Sequence, residues 1–219
     1  QWIKTHCDVL PWPASIKMTR NDRQRLSEIL GEESVNSVLV AAGPGRILYS
    51  DDQWLRGLAK GELGVNGVWT QALLVQGVDQ GALDRERYNQ AVISLVCAGY
   101  VHTGIDRHVL LAAARKAEFR PVWPFDEVAN ALCGPHCDEQ SAVRVAADFI
   151  SMLWNEVVLP QSLDYLVLRL LDSLTHHRSP RHVLDRLATE VRRRFRLNAI
   201  AEQDVLRLMS AWASMRIII

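Results

Sequence analysis

Two short apolar runs on either side of one amphipathic segment constrain this chain most. "RILYS" (46–50) follows the turn sequence "GPG" at 43–45, and "GVNGVWT" (64–70) follows "DQWLRGLAKGEL" at 52–63. Short β-branched and aromatic runs bounded by Gly and Pro are read as strands. The segment between them places Trp54, Leu55, Leu58 and Ala59 on one side of a helix. "QALLVQGVDQG" (71–81) is a further helix ended by glycines. Strand, helix, strand, helix in that order predicts a parallel sheet with crossover helices, because two parallel strands cannot be joined by a tight turn.

The flanking sequence supports an α/β part. Residues 20–42 carry apolar positions at helical spacing broken by Gly31, which predicts helix, break, helix. "DRERYNQAVISLVCA" at 84–98 is amphipathic with an Asp at its start, and "GYVHTG" (99–104) is a strand or turn before the helix of 106–119. Beyond the Pro-punctuated "RPVWPFDE" (120–127), helical patterns run at roughly 126–133, 139–156, 161–177, 181–196 and 201–214, with one terminal strand candidate in "RIII". The expected organisation is an α/β domain over 1–119 and an all-helical domain over 126–219.

Composition excludes several classes. Lys plus Arg and Asp plus Glu are 25 each, so no net charge draws the chain to nucleic acid or an anionic membrane, and any such binding needs a local patch. No apolar run reaches the roughly 18–20 residues that span a bilayer. The four cysteines are scattered, which fits a reducing cytoplasm better than a disulfide scaffold. The first residue is Gln, which points to a start inside a longer parent or after processing. No nucleophile elbow, Walker loop, dinucleotide glycine fingerprint or HExxH helix is present.

The residues that invite chemistry are Asp51 and Asp52, at the carboxyl end of the first predicted strand. Ligands of open parallel sheets collect there, and hard cations such as Mg2+ or Mn2+ take carboxylate oxygens and keep several waters. Asp52 or Ser50 can equally cap the helix that begins at Gln53. Both readings stand on spacing. If the acids cluster, Asp51→Asn should stabilise the metal-free protein, because like charges held together repel.

In order and spacing, "GEE" (31–33), "LYSDDQWLRGLA" (48–59), "GVWTQALL" (67–74) and "ISLVCAGYVHTGIDRHVLLAAA" (93–114) resemble the second half of the PIN domain, in its bacterial branch, over roughly residues 25–118. The resemblance implies a PIN-like parallel sheet flanked by helices and a Mg2+- or Mn2+-dependent ribonuclease. Asp51 would then be the principal metal ligand, with Asp52 beside it and Glu32 or Glu33 in support. Glu33 pairs with Asp51 in the implied metal site. Thr70 matches the hydroxyl residue after the next strand, and Arg56 the arginine of that branch, with a substrate or packing role. The family's first acid stands well upstream on its own strand. Here only 31 residues precede Glu32, and Asp8 is the sole acid before the helix at 20. The alternative is a catalytically inactive PIN-like scaffold whose helical domain binds protein partners.

Three further motifs carry two readings each. "CGPHC" (133–137) is half a zinc site or a helix-ending turn, and "THHRSPRH" (175–182) is a solvated interhelical turn or a positive partner surface. "EVRRRFRL" (190–197) sets Arg192, Arg193, Arg194 and Arg196 around Phe195, either as RNA contacts or as a charged face with Phe195 buried. Consecutive arginines spread around a helix, so not all of them can join one phosphate-tracking stripe. The seven tryptophans are scattered at apolar positions, as core packing requires.

Overall fold

A computed structural model describes residues 5–6, 19–134 and 137–216. Among them are eleven helices and one two-stranded parallel sheet. The expected α/β fold with a PIN-like sheet is therefore corrected: the chain is mostly helical. The reason lies in the strands themselves. Each apolar run contributes only two residues to the ladder, and "GYVHTG" is a turn in which Gly99 (φ 79°) and His102 (φ 59°) occupy the left-handed region that an extended strand cannot use. The "RIII" strand candidate lies outside the described residues apart from its first member. Arg216 ends a helix, and the three isoleucines lie outside the described residues.

The chain divides into two compact units, residues 1–80 and 81–219. In the first, α1 (Arg20–Leu30) starts at Thr19, whose hydroxyl accepts from the Asp22 N–H, and stops at Gly31, held at φ 81°. Helix α2 (Glu32–Ala41) follows at once. Its first turn carries Glu32 and Glu33, which favour the positive end of the helix dipole. Strand β1 (Leu48–Tyr49), α3 (Gln53–Leu63), β2 (Gly67–Val68) and α4 (Thr70–Asp79) follow in the chain.

The strands pair in register Leu48 with Gly67 and Tyr49 with Val68, through Leu48 N–H to Asn66 O and Ser50 N–H to Val68 O, both 3.0 Å. Val38, Ala41, Leu48, Leu55, Ala59 and Val65 form one buried cluster, and Leu26, Val35 and Leu39 a second. Ion pairs Arg23–Glu32 (3.3 Å) and Arg25–Glu62 (3.7 Å) join α1 to α2 and α3 at the surface. Helix α4 has no fully buried residue.

The second unit contains α5 (Arg85–Cys97), α6 (Arg107–Lys116), α7 (Phe125–Leu132), α8 (Glu139–Leu153), α9 (Pro160–Thr175), α10 (Pro180–Phe195) and α11 (Ala199–Arg216). Its helix starts are legible in sequence. Asp84, Asp106 and Asp138 accept backbone N–H bonds as caps, and prolines open α9 and α10, where the missing N–H costs nothing. The unit begins at Gly81, so α5 and α6, which the sequence placed in an α/β part ending at 119, pack with the helices that follow them. The small side chains Ala112, Ala113 and Ala114 let α6 approach its neighbours closely.

Phe125 and Phe149 meet at 5.6 Å between ring centroids in the core. Helices α8 and α10 run parallel: Glu139 at the head of α8 pairs with His182 and Arg186, and Asp148 further along pairs with Arg194. Because Phe149 is wholly buried, Phe149→Ala is expected to cost about 3–5 kcal/mol. Val157→Ala, at a side chain in full solvent contact, should stay within about 0.5 kcal/mol. Chemical denaturation of both variants checks the pair.

Candidate functional site

The two parallel strands end side by side, each runs into a helix, and every helix begins with N–H groups that have no partner within it. Asp52 serves α3: its Oδ1 accepts from Trp54 N–H (2.8 Å) and Leu55 N–H (3.1 Å). Asp51 serves α4, across the sheet. Its Oδ1 accepts from the Thr70 N–H at 2.8 Å and its Oδ2 from the Thr70 hydroxyl at 2.7 Å. The local N-cap of α4 is Trp69, which supplies no side-chain acceptor. The adjacent carboxylates thus cap two different helices, and each lies where a helix dipole favours negative charge.

Tyr49 completes this corner, with its hydroxyl 2.6 Å from Thr70 Oγ1. Sequence reasoning took Tyr49 only as a strand residue. The available signal was its place two positions before Asp51, since strand alternation puts residues i and i+2 on one face. Arg56 packs at the strand ends. Its Nη1 donates to Ser50 O at 2.7 Å and its guanidinium lies 5.0 Å from the Trp69 ring centroid. Gly67 makes room for it, because a Cβ there would stand 2.7 Å from Arg56 Cγ. Arg56 therefore staples α3 to the strand ends.

The remaining acids lie elsewhere. Glu32 pairs with Arg23, which also donates to Asn36 Oδ1 at 3.2 Å, and Glu33 is exposed at the head of α2. Asp8 lies outside the described residues. Among the described residues no three His, Cys, Asp or Glu side chains gather to hold a metal ion. Both Asp51 oxygens accept hydrogen bonds from Thr70.

In the basic run, Arg194 turns inward, donating to Asp148 Oδ1 (2.6 Å), the Arg144 carbonyl (3.3 Å) and Glu190. Phe195 is buried edge-on against Trp154 at 6.1 Å and offers no stacking platform. Arg193 pairs with Glu190 at 2.8 Å, while Arg192 and Arg196 are exposed. In "CGPHC", Cys137 Sγ contacts the Ala131 carbonyl at 3.3 Å, and burial pushes the Cys133 thiol up to about 12, while His136 lies outside the described residues.

Two measurements follow. Asp51→Ala should destabilise the first unit by about 1–2 kcal/mol and Asp51→Asn, which keeps one acceptor, by about half that; a rise in stability of the Asn variant would mean that the acids do cluster. In the second unit, the Arg194 hydrogen bond holds the Glu190 carboxyl below its usual range, and the Ser141 N–H does the same for Asp138. A lowered carboxylate pKa adds stability that is complete above the ordinary range of about 4 and is lost as pH falls through the folded value. Denaturation midpoints should therefore fall on acidification below about pH 5, and the fall should be shallower in Glu190→Gln.

Comparison with known proteins adds one match. Residues 1–61 match the model of a family described as the PIN domain associated with the TPR-GreAB-C-PIN system. No curated protein and no solved structure matches. The matched stretch holds Glu32, Glu33, Asp51, Asp52 and Arg56 and ends before Thr70, so it is shifted toward the N-terminus from the 25–118 resemblance. The helix-capping corner of Asp51 and Asp52 accordingly stands at the end of a PIN-like domain at the N-terminus of this chain.

Proposed function

We propose that the N-terminal unit is a PIN-like scaffold without catalysis of its own, and that the helical unit serves protein contact. The observation that carries this reading is the use made of Asp51. The acid expected to be the principal metal ligand commits both oxygens to Thr70 and so fixes the start of α4. Asp52 and Glu32 are engaged in the same structural way, by α3 and by Arg23. In the helical unit the loops after α8 and α10 come together at one end, through the Trp154–Phe195 contact. They and the first turn of α11 expose Val157, Leu159, Leu197 and Ile200, aliphatic surface of the kind that partners cover.

A second reading, Mg2+- or Mn2+-dependent cleavage of RNA, has its own support. Asp51 and Thr70 stand together at the carboxyl ends of both strands, as the PIN resemblance implies, and the matched family is a PIN domain. That reading requires further acids beyond those the described residues bring to Asp51, and Arg192, Arg193 and Arg196 are exposed cations it would offer to a phosphate backbone.

Calorimetric titration of Mn2+ into wild type and Asp51→Asn, with cleavage of a labelled RNA followed in the same samples, separates the two. The scaffold reading expects neither binding nor cleavage in either protein. Binding and cleavage in wild type that both vanish in Asp51→Asn would overturn it.

A further inference from the structure

Four aliphatic side chains at one end of the helical unit take almost no part in its core. Val157 and Leu159 lie in the loop after α8, Leu197 in the loop after α10 and Ile200 in the first turn of α11, and they are 105, 70, 92 and 77 % exposed. The edge-on contact of Trp154 with Phe195 at 6.1 Å draws the two loops together. Val157 stands three residues beyond Trp154, and Leu197 two beyond Phe195, with Ile200 three further on. The four therefore gather around one contact.

Charge beside this surface is positive. Arg192 and the α10 C-cap Arg196 are exposed about one turn apart, and neither has a carboxylate partner among the described residues. Arg193, also exposed, pairs at 2.8 Å with Glu190, whose carboxylate serves Arg194 as well. The one acid of the loop after α8, Glu156, is tied to Arg115 at 2.7 Å. Glu202 follows Ile200 by two positions, which puts it on the opposite side of α11, and Asp164 stands more than a turn along α9 from Leu159.

We infer that this end of the helical unit binds an acidic amphipathic helix of a partner protein, with aliphatic side chains on Leu197 and its three neighbours and carboxylates toward Arg192 and Arg196. The inference rests on the protein-contact reading of this unit and gives that contact a place and a chemistry. A nucleic acid would use the same cations but gains from rings on which its bases stack. Trp154 and Phe195, the rings at this contact, pack on each other instead. The one sheet among the described residues lies in the first unit, so the helical unit offers no sheet edge for an added strand, and a helix laid on aliphatic anchors is the mode that fits. Aliphatic burial supplies most of the affinity, and the exposed arginines act mainly on the rate of encounter.

The test is binding kinetics of the full chain with a synthetic peptide of about fifteen residues, long enough to form a helix, with Leu on one face and Glu on the other. The same peptide with Lys in place of Glu, and a single-stranded RNA of similar length, are the comparisons. The Glu peptide is expected to bind, and the Lys peptide about tenfold or more weakly. Leu197→Ser combined with Ile200→Ser should keep the wild-type melting temperature, because neither side chain is buried, while the Glu peptide dissociates about tenfold faster or more. Arg192→Gln combined with Arg196→Gln should slow association and flatten its salt dependence. A Glu peptide that does not bind wild type, or binds no more tightly than the Lys peptide, overturns the inference. Binding that both double variants leave unchanged would overturn this surface while protein contact by the unit stands. RNA bound in preference to the peptide and lost in the arginine variant would overturn both.

Discussion

A helix that starts at the end of a strand must find acceptors for its first N–H groups, and the N-terminal unit depends on how that need is met twice in one place. Strands β1 and β2 are parallel, so α3 and α4 begin at the same end of the sheet. One pair of neighbouring residues supplies both helices: Asp52 turns to its own helix and Asp51 reaches across to Thr70. The cross-sheet bond matters because the sheet is so small. With two residues per strand the ladder contributes few hydrogen bonds, and the Asp51–Thr70 bonds with the Arg56–Ser50 bond extend the connection beyond it. Asp51 takes the N–H of Thr70 on one oxygen and its hydroxyl on the other.

The helical unit solves a different problem. Its seven helices bury aliphatic and aromatic side chains, and hydrophobic burial does not by itself specify how far one helix slides along another. Charged pairs mark that register. Glu139 with His182 and Arg186 sets one end of α8 against α10, and Asp148 with Arg194 sets the other. The same arrangement draws part of the dense basic run inward. Its central arginine is committed to the helix pair and its aromatic residue to the core.

Helix positions were legible because their signals are local: Asp52 and Asp84 at helix starts, Gly31 as a break, and apolar spacing in the later helices. The two strands were legible for the same reason. The size of the sheet was not, since a strand exists only where another segment pairs with it, and "GYVHTG" has the composition of a strand with the backbone of a turn. The unit boundary also escaped the sequence, because the Pro-rich "RPVWPFDE" reads as a linker while α6 beside it is buried in the helical core. At the candidate site, the proximity of Asp51 and Thr70 was available through the PIN resemblance. The hydroxyl of Tyr49 and the seat of Arg56 over Trp69 were not.

By itself the sequence determined the order and type of the elements, the PIN-like character of the N-terminal part, and the placing of two carboxylates at a strand end, because periodicity, capping and turn chemistry act within a few residues. What those carboxylates do was decided only by tertiary structure. Cap and metal ligand demand the same residue type at the same position, and the difference lies in which groups the fold brings to the second oxygen. Here, among the described residues, the fold brings Thr70, a donor from the next helix, to that oxygen.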